Sequence, residues 1–101
     1  MRYTYVLVRK DIPTEDALVQ SCHACLQAGQ SFGQFPGDHL VLLSVKDEEA
    51  LLKTEEMLAQ KRINFEIFWE PDDNMGFTAL CTEPLTKESR KLFRKYQCWT
   101  F

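Results

Sequence analysis

A chain of 101 residues has room for one domain, spanning 1–101, and one modest core. With 45% hydrophobic and 27% charged residues, four glycines and four prolines, it falls outside the disordered and low-complexity classes. The net charge of −3 argues against a protein coated in nucleic acid, and the longest apolar runs, Tyr5-Val6-Leu7-Val8 and Leu40-Val41-Leu42-Leu43, are far too short to cross a bilayer.

Tyr3 to Val8 is dense in aromatic and β-branched residues and predicts a strand. It is apolar on both faces, which suits a central strand covered on each side. Arg2, Arg9, Lys10 and Asp11 leave no apolar stretch for a signal peptide, so the expected location is the cytoplasm. In that compartment Cys22, Cys25, Cys81 and Cys98 are expected as reduced thiols. Asp11-Ile12-Pro13-Thr14 predicts a helix start, with Glu15 and Asp16 at the positive end of its dipole. The helix is expected to run to about Ala28 and stop at Gly29.

Three faces can be read on this helix. Leu18, Cys22, Cys25, Leu26 and Gly29 form one, and the small residues Ala17, Ser21, Ala24 and Ala28 a second. Gln20, His23 and Gln27 share a polar third. Cys22-His23-Ala24-Cys25 offers a redox dithiol or half a zinc site. Its mid-helix position and the lack of a second closely spaced pair favour buried packing thiols instead. A lone helical His23 is more often a packing or surface residue than a catalyst, unless an acidic group reaches it.

Gln30 to Asp38, with Gly33, Pro36 and Gly37, predicts a loop, and His39 to Val45 a second strand. Asp47 is placed to cap a second helix with Leu51, Thr54, Met57 and Leu58 inward. Asn64 to Trp69 alternates and predicts a half-wet edge strand. Glu70-Pro71-Asp72-Asp73 is an acidic turn at its end. Such a turn is either solvated or a paired-carboxylate base that orients water. Phe77 to Thr82 predicts a fourth strand, antiparallel because the preceding loop is too short for a crossover.

Thr86 to Tyr96 predicts a last helix, with Leu92, Phe93 and Tyr96 inward and an apolar tail of Cys98, Trp99 and Phe101 that docks. Residues 86–101 carry Lys87, Arg90, Lys91, Arg94 and Lys95 against Glu88, a net of +4, while 1–85 carry seven basic and fourteen acidic residues, a net of −7. On an α-helix the five cations share one broad face, suited either to a phosphate backbone or to solvent. The order β-α-β-α-β-β-α implies an α/β fold with a mainly parallel sheet between two helix layers. No glycine-rich phosphate loop or dinucleotide fingerprint occurs.

Three segments together resemble the second (archaeal-type) class of peptidyl-tRNA hydrolases. Val8-Arg9-Lys10-Asp11-Ile12 resembles that family's Val-Arg-x-Asp-Leu, and Gln20-Ser21-Cys22-His23-Ala24 resembles its Gln-x-x-His-Ala. Glu70-Pro71-Asp72 followed by Thr78-Ala79 resembles its Asp-containing turn and next strand. The resemblance implies a three-layer α/β/α sandwich with a four-stranded mixed sheet, ordered 2-1-4-3. It implies hydrolysis of the ester joining a peptidyl group to tRNA, without a metal or other cofactor, and a possible homodimer. It makes Asp72, or its neighbour Asp73, the water-directing group. Gln20 and His23 line the pocket, Thr78 lies close by and Asp11 fixes the site. Lys10, Arg90, Lys91 and Arg94 are candidate contacts to the substrate. The family's helix lysine is replaced here by Asp16, a departure that also allows a catalytically inactive relative that binds tRNA or a protein.

Overall fold

The computed structural model describes residues 1–33 and 39–100. Strand β1 is Tyr3–Arg9, helix α1 Thr14–Phe32, β2 His39–Val45 and α2 Glu48–Gln60. They are followed by β3 Phe65–Glu70, a 3-10 turn at Asp72–Asn74, β4 Gly76–Thr82, a 3-10 helix at Lys87–Phe93 and β5 Gln97–Cys98. Most of the loop expected over Gln30–Asp38, and Phe101 of the tail, lie outside the described residues.

The fold is α/β, and its sheet is mixed and five-stranded, ordered β3-β4-β1-β2-β5. The first four strands follow the expected order, with β1 at the centre and β3 at the edge. Two expectations are corrected. Only the β1–β2 pair is parallel; β1–β4, β3–β4 and β2–β5 are antiparallel. The fourth strand returns beside the first, and the tail adds a fifth. Gln97 and Cys98 pair with Ser44 and Leu43, and the Trp99 amide donates to the Leu42 carbonyl at 3.0 Å. This short strand covers part of an edge that β2 would otherwise leave unpaired.

Alternate side chains of a strand point to opposite faces, and the core divides accordingly. Tyr5 and Leu7 pack with Leu43, Leu80, and Leu51 and Leu58 of α2. Val6 and Val8 pack with Ala79, Cys81, and Ala17, Ala24 and Ala28 of α1. The small-residue face of α1 is therefore its buried face, together with Gln20 and Ser21. Leu18, Val19 and Leu26 are exposed, Leu26 at 73%. The alanines win because they let the helix lie close to the sheet.

The helix also passes Gly29, which is half-buried and meets no obstacle. It ends instead at Gly33, whose φ of 83° suits glycine and whose amide closes the last turn on Gly29 at 3.0 Å. At α2, Asp47 caps as expected, its Oδ1 accepting from the Ala50 amide at 2.9 Å.

The last helix is wound as 3-10, not α. The amide of Ser89 bonds the carbonyl of Thr86 at 3.0 Å, and that of Tyr96 bonds Phe93 at 3.1 Å. Phe93 is buried against Tyr5, with ring centroids 3.9 Å apart, and the chain must then turn at once into β5. The five cations consequently no longer share a face, because residues three apart eclipse. Lys87 aligns with Arg90, Lys91 with Arg94, and Lys95 with Leu92.

Candidate functional site

Gln20, Glu70 and Thr78, from two of the three resemblance segments, meet near the C-terminal end of β1, on the α1 side of the sheet. In the β3–β4 pairing, Phe68 faces Ala79 and Trp69 faces Phe77, leaving Thr78 as an extra residue. This bulge breaks the alternation, so Thr78 joins Ala79 on the α1 side. The Thr78 hydroxyl donates to Gln20 Oε1 at 2.9 Å, and Gln20 Nε2 donates to Glu70 Oε1 at 2.9 Å. Glu70 Oε2 accepts from the Asp72 amide at 3.4 Å. One chain of hydrogen bonds thus runs from the sheet interior to the acidic turn.

Gln20 is 3% exposed and Thr78 is fully buried. Their hydrogen bonds hold Glu70 and, through it, the turn that follows. Leaving any of these amide or hydroxyl groups unpaired would cost about 1–3 kcal/mol.

Glu70 is the member that sequence reasoning passed over in favour of Asp72 and Asp73. A signal existed: alternation along β3 puts Glu70 on the same face as Phe68 and hence toward α1. Asp72 and Asp73 are exposed on the 3-10 turn, and Asp73 has a φ of 55°. Neither side chain makes a hydrogen bond or ion pair among the described residues. His23, one turn beyond Gln20, stacks on Phe68 with centroids 4.3 Å apart and planes 3° apart. No carboxylate among the described residues bonds it.

Arg9 fixes the base of the site. Its guanidinium grips both Asp11 oxygens, at 2.9 and 3.0 Å, and donates to the carbonyls of Met75 and Phe77. From the other side, Glu48 Oε2 accepts the Phe77 amide at 2.8 Å. The start of β4, and with it the bulge, is therefore clamped between α2 and β1. Asp11 takes part in this clamp through its ion pair with Arg9. Lys10, the next residue after Arg9, points an exposed side chain outward.

The Arg9 hydrogen bond holds the Asp11 carboxyl below its ordinary pKa, and burial opposes this. A depressed carboxyl stabilises the fold above its unfolded pKa, and loses that contribution as pH falls through the folded value. Asp11→Asn is expected to lower stability at neutral pH, with the gap to wild type closing below about pH 4. Urea midpoints measured from pH 7 down to pH 2 check this; a gap independent of pH would mean that the charge is irrelevant.

The cations of the 3-10 helix are not brought to this cluster. Arg90 lies over Tyr3, at the opposite end of β1 (roughly 20 Å of strand away) and on the α2 side of the sheet. Asp16 lies one turn before Gln20, and no Lys or Arg side chain among the described residues bonds Gln20, Glu70, Asp72 or Thr78. All four cysteines are free, and Cys22 is exposed, not packed inside. Among the described residues no cluster of three His, Cys, Asp or Glu side chains is placed to hold a metal ion. Compared with known proteins, the chain matches no family model and no curated protein. No helix among the described residues is long and apolar enough to cross a membrane.

Proposed function

We propose that this chain hydrolyses the ester between a peptidyl or other acyl group and tRNA, as the resemblance to second-class peptidyl-tRNA hydrolases implies. The observation that carries the proposal is the Thr78–Gln20–Glu70 hydrogen-bond chain. It joins residues from two of the three resemblance segments, fifty or more positions apart in sequence, next to the turn that holds Asp72. The strand order and the placement of helices on both faces are compatible with the family's three-layer architecture.

Ester hydrolysis needs a base for water and a donor for the oxyanion. In this proposal the exposed Asp72 carboxylate takes a proton from water, whose oxygen adds to the ester carbonyl carbon. The tetrahedral intermediate then collapses with loss of the tRNA 3′ oxygen. The proton taken up by Asp72 passes to that leaving oxygen by way of His23, whose ring nitrogens make no hydrogen bond among the described residues. Lys10 supplies positive charge for the oxyanion. Glu70, Gln20 and Thr78 are positioning residues that fix the turn.

Asp16 supports a second reading. An anion stands one turn from Gln20 where the family has a lysine, which fits a relative that binds tRNA or a protein without turnover. One experiment separates them: purified protein is incubated with a labelled peptidyl-tRNA, and both release and retention on a filter are followed. Release above buffer at high protein concentration is expected. Retention without release would leave only the binding module, and neither would sink both readings.

A further inference from the structure

A concave site lies apart from the cluster around Gln20. A cleft of about 400 Å³ opens between the 3-10 helix and the N-terminal ends of β1 and β2, on the α2 side of the sheet. That volume is within the range of small-molecule sites. Tyr3, Tyr5, Val41 and Leu43 form its floor, and Lys87, Arg90 and Arg94 its rim. No aspartate or glutamate lines it, although the chain is acidic overall.

The winding of the helix builds this site. At three residues per turn, Lys87, Arg90 and Phe93 fall in one row and line the cleft, and Arg94 and Tyr96 join them from the turn that follows the helix. An α-helix would fan the same three residues over about a third of its circumference. Arg90 sits over Tyr3, its guanidinium carbon 4.7 Å from the centre of the ring. Tyr96 is fixed from behind, its hydroxyl 2.9 Å from Thr54 Oγ1. Burial raises the Tyr5 phenol above its ordinary pKa, with Arg90 opposing. None of Lys87, Arg90 and Arg94 forms an ion pair among the described residues.

We propose that this cleft binds a phosphate monoester carrying a planar ring, of the size of a nucleoside monophosphate. Three cations with no ion pair among the described residues call for more than one negative charge: a carboxylate or a phosphodiester brings one, a phosphate monoester close to two at neutral pH. The outer face of the Arg90 guanidinium, backed by Tyr3, is a flat surface on which a base stacks. The site stands independently of the hydrolase proposal, since it shares no residue with the Gln20 chain and lies on the other face of the sheet.

The test is a titration of the full chain, followed by amide NMR and calorimetry, with adenosine 5′-monophosphate, its cyclic 3′,5′ diester, adenosine and a short single-stranded oligoribonucleotide. The monoester is expected to saturate, shift resonances of Tyr3, Arg90 and Tyr96, and bind at least tenfold more tightly than the diester or adenosine. Arg90→Met and Arg94→Met should each weaken it about tenfold. Arg94→Met removes no hydrogen bond or ion pair within the described structure, so it keeps the test meaningful if Arg90→Met perturbs folding. Saturation by the oligoribonucleotide but not the monoester would reassign the site to a strand and overturn the proposal. So would absence of saturation by any probe, or equal affinity for the monoester and the diester.

Discussion

Asp72→Asn is expected to lower peptidyl-tRNA hydrolysis about 100-fold or more while leaving the fold unchanged. The Asp72 side chain is exposed and makes no hydrogen bond or ion pair among the described residues, so its removal falls among surface changes worth within about 0.5 kcal/mol. Its structural bonds are through the backbone: its amide donates to Glu70 and its carbonyl accepts from Met75 at 3.1 Å. Asparagine keeps both. What it loses is the ability to take a proton from water, which is typically worth about 10²–10⁴ in rate. Asp73→Asn is the matched control. Asp73 has φ 55° and ψ 24°, a left-handed conformation that asparagine tolerates well, so this change should be nearly silent. Single-turnover release rates with urea midpoints for both variants decide the matter. If Asp72→Asn retains more than half the wild-type rate, Asp72 is not the base. If Glu70→Gln alone abolishes release, the role belongs to Glu70.

Gly76→Ala is expected to destabilise the fold by about 3 kcal/mol. Gly76 has a φ of 74°, where a side chain is strained by about 1–2 kcal/mol. A Cβ there would also fall on the Glu48 carboxylate. That carboxylate must then swing away from the Phe77 amide, and a hydrogen bond to a charged group contributes about 1.5–3 kcal/mol. Gly33→Ala separates the two causes. Gly33 has a similar φ of 83° but open space around it, so only the strain remains, about 1 kcal/mol. Equal urea midpoints for the two variants would mean that the Glu48 clamp contributes nothing. Because Gly76 opens the strand whose bulge aims Thr78, the same change should also loosen the Gln20–Glu70 bond and depress release.

Local pattern carried far in this chain wherever a single element decided the outcome. The unbroken apolar run Tyr5–Val8 marked a central strand, and the alternation over Asn64–Trp69 an edge strand. Asp47 capped α2 because capping involves only one turn of chain. Pattern failed where two elements competed for a position. On α1 it offered a face with two leucines and a face of alanines, and close packing on the sheet chose the alanines. At Lys87–Phe93 the spacing of the cations suited an α-helix, and the anchoring of Phe93 on Tyr5 together with the immediate turn into β5 accompanies the tighter winding instead.

The sequence by itself determined the α/β class, the four main strands, both α-helices and the set of polar residues from which the candidate site is drawn. These follow from periodicity and capping, which act over a few residues. Only the tertiary structure decided which of those residues meet. The bulge at Thr78 is a mismatch between two strands, and no single segment encodes it. It turns Thr78 onto Gln20, and Gln20 in turn selects Glu70 from an acidic turn in which three carboxylates look equivalent. The same holds for the basic cleft: its cations are legible as a cluster, but their alignment over Tyr3 and Tyr5 exists only once β1 supplies the floor and the 3-10 winding brings every third residue to it.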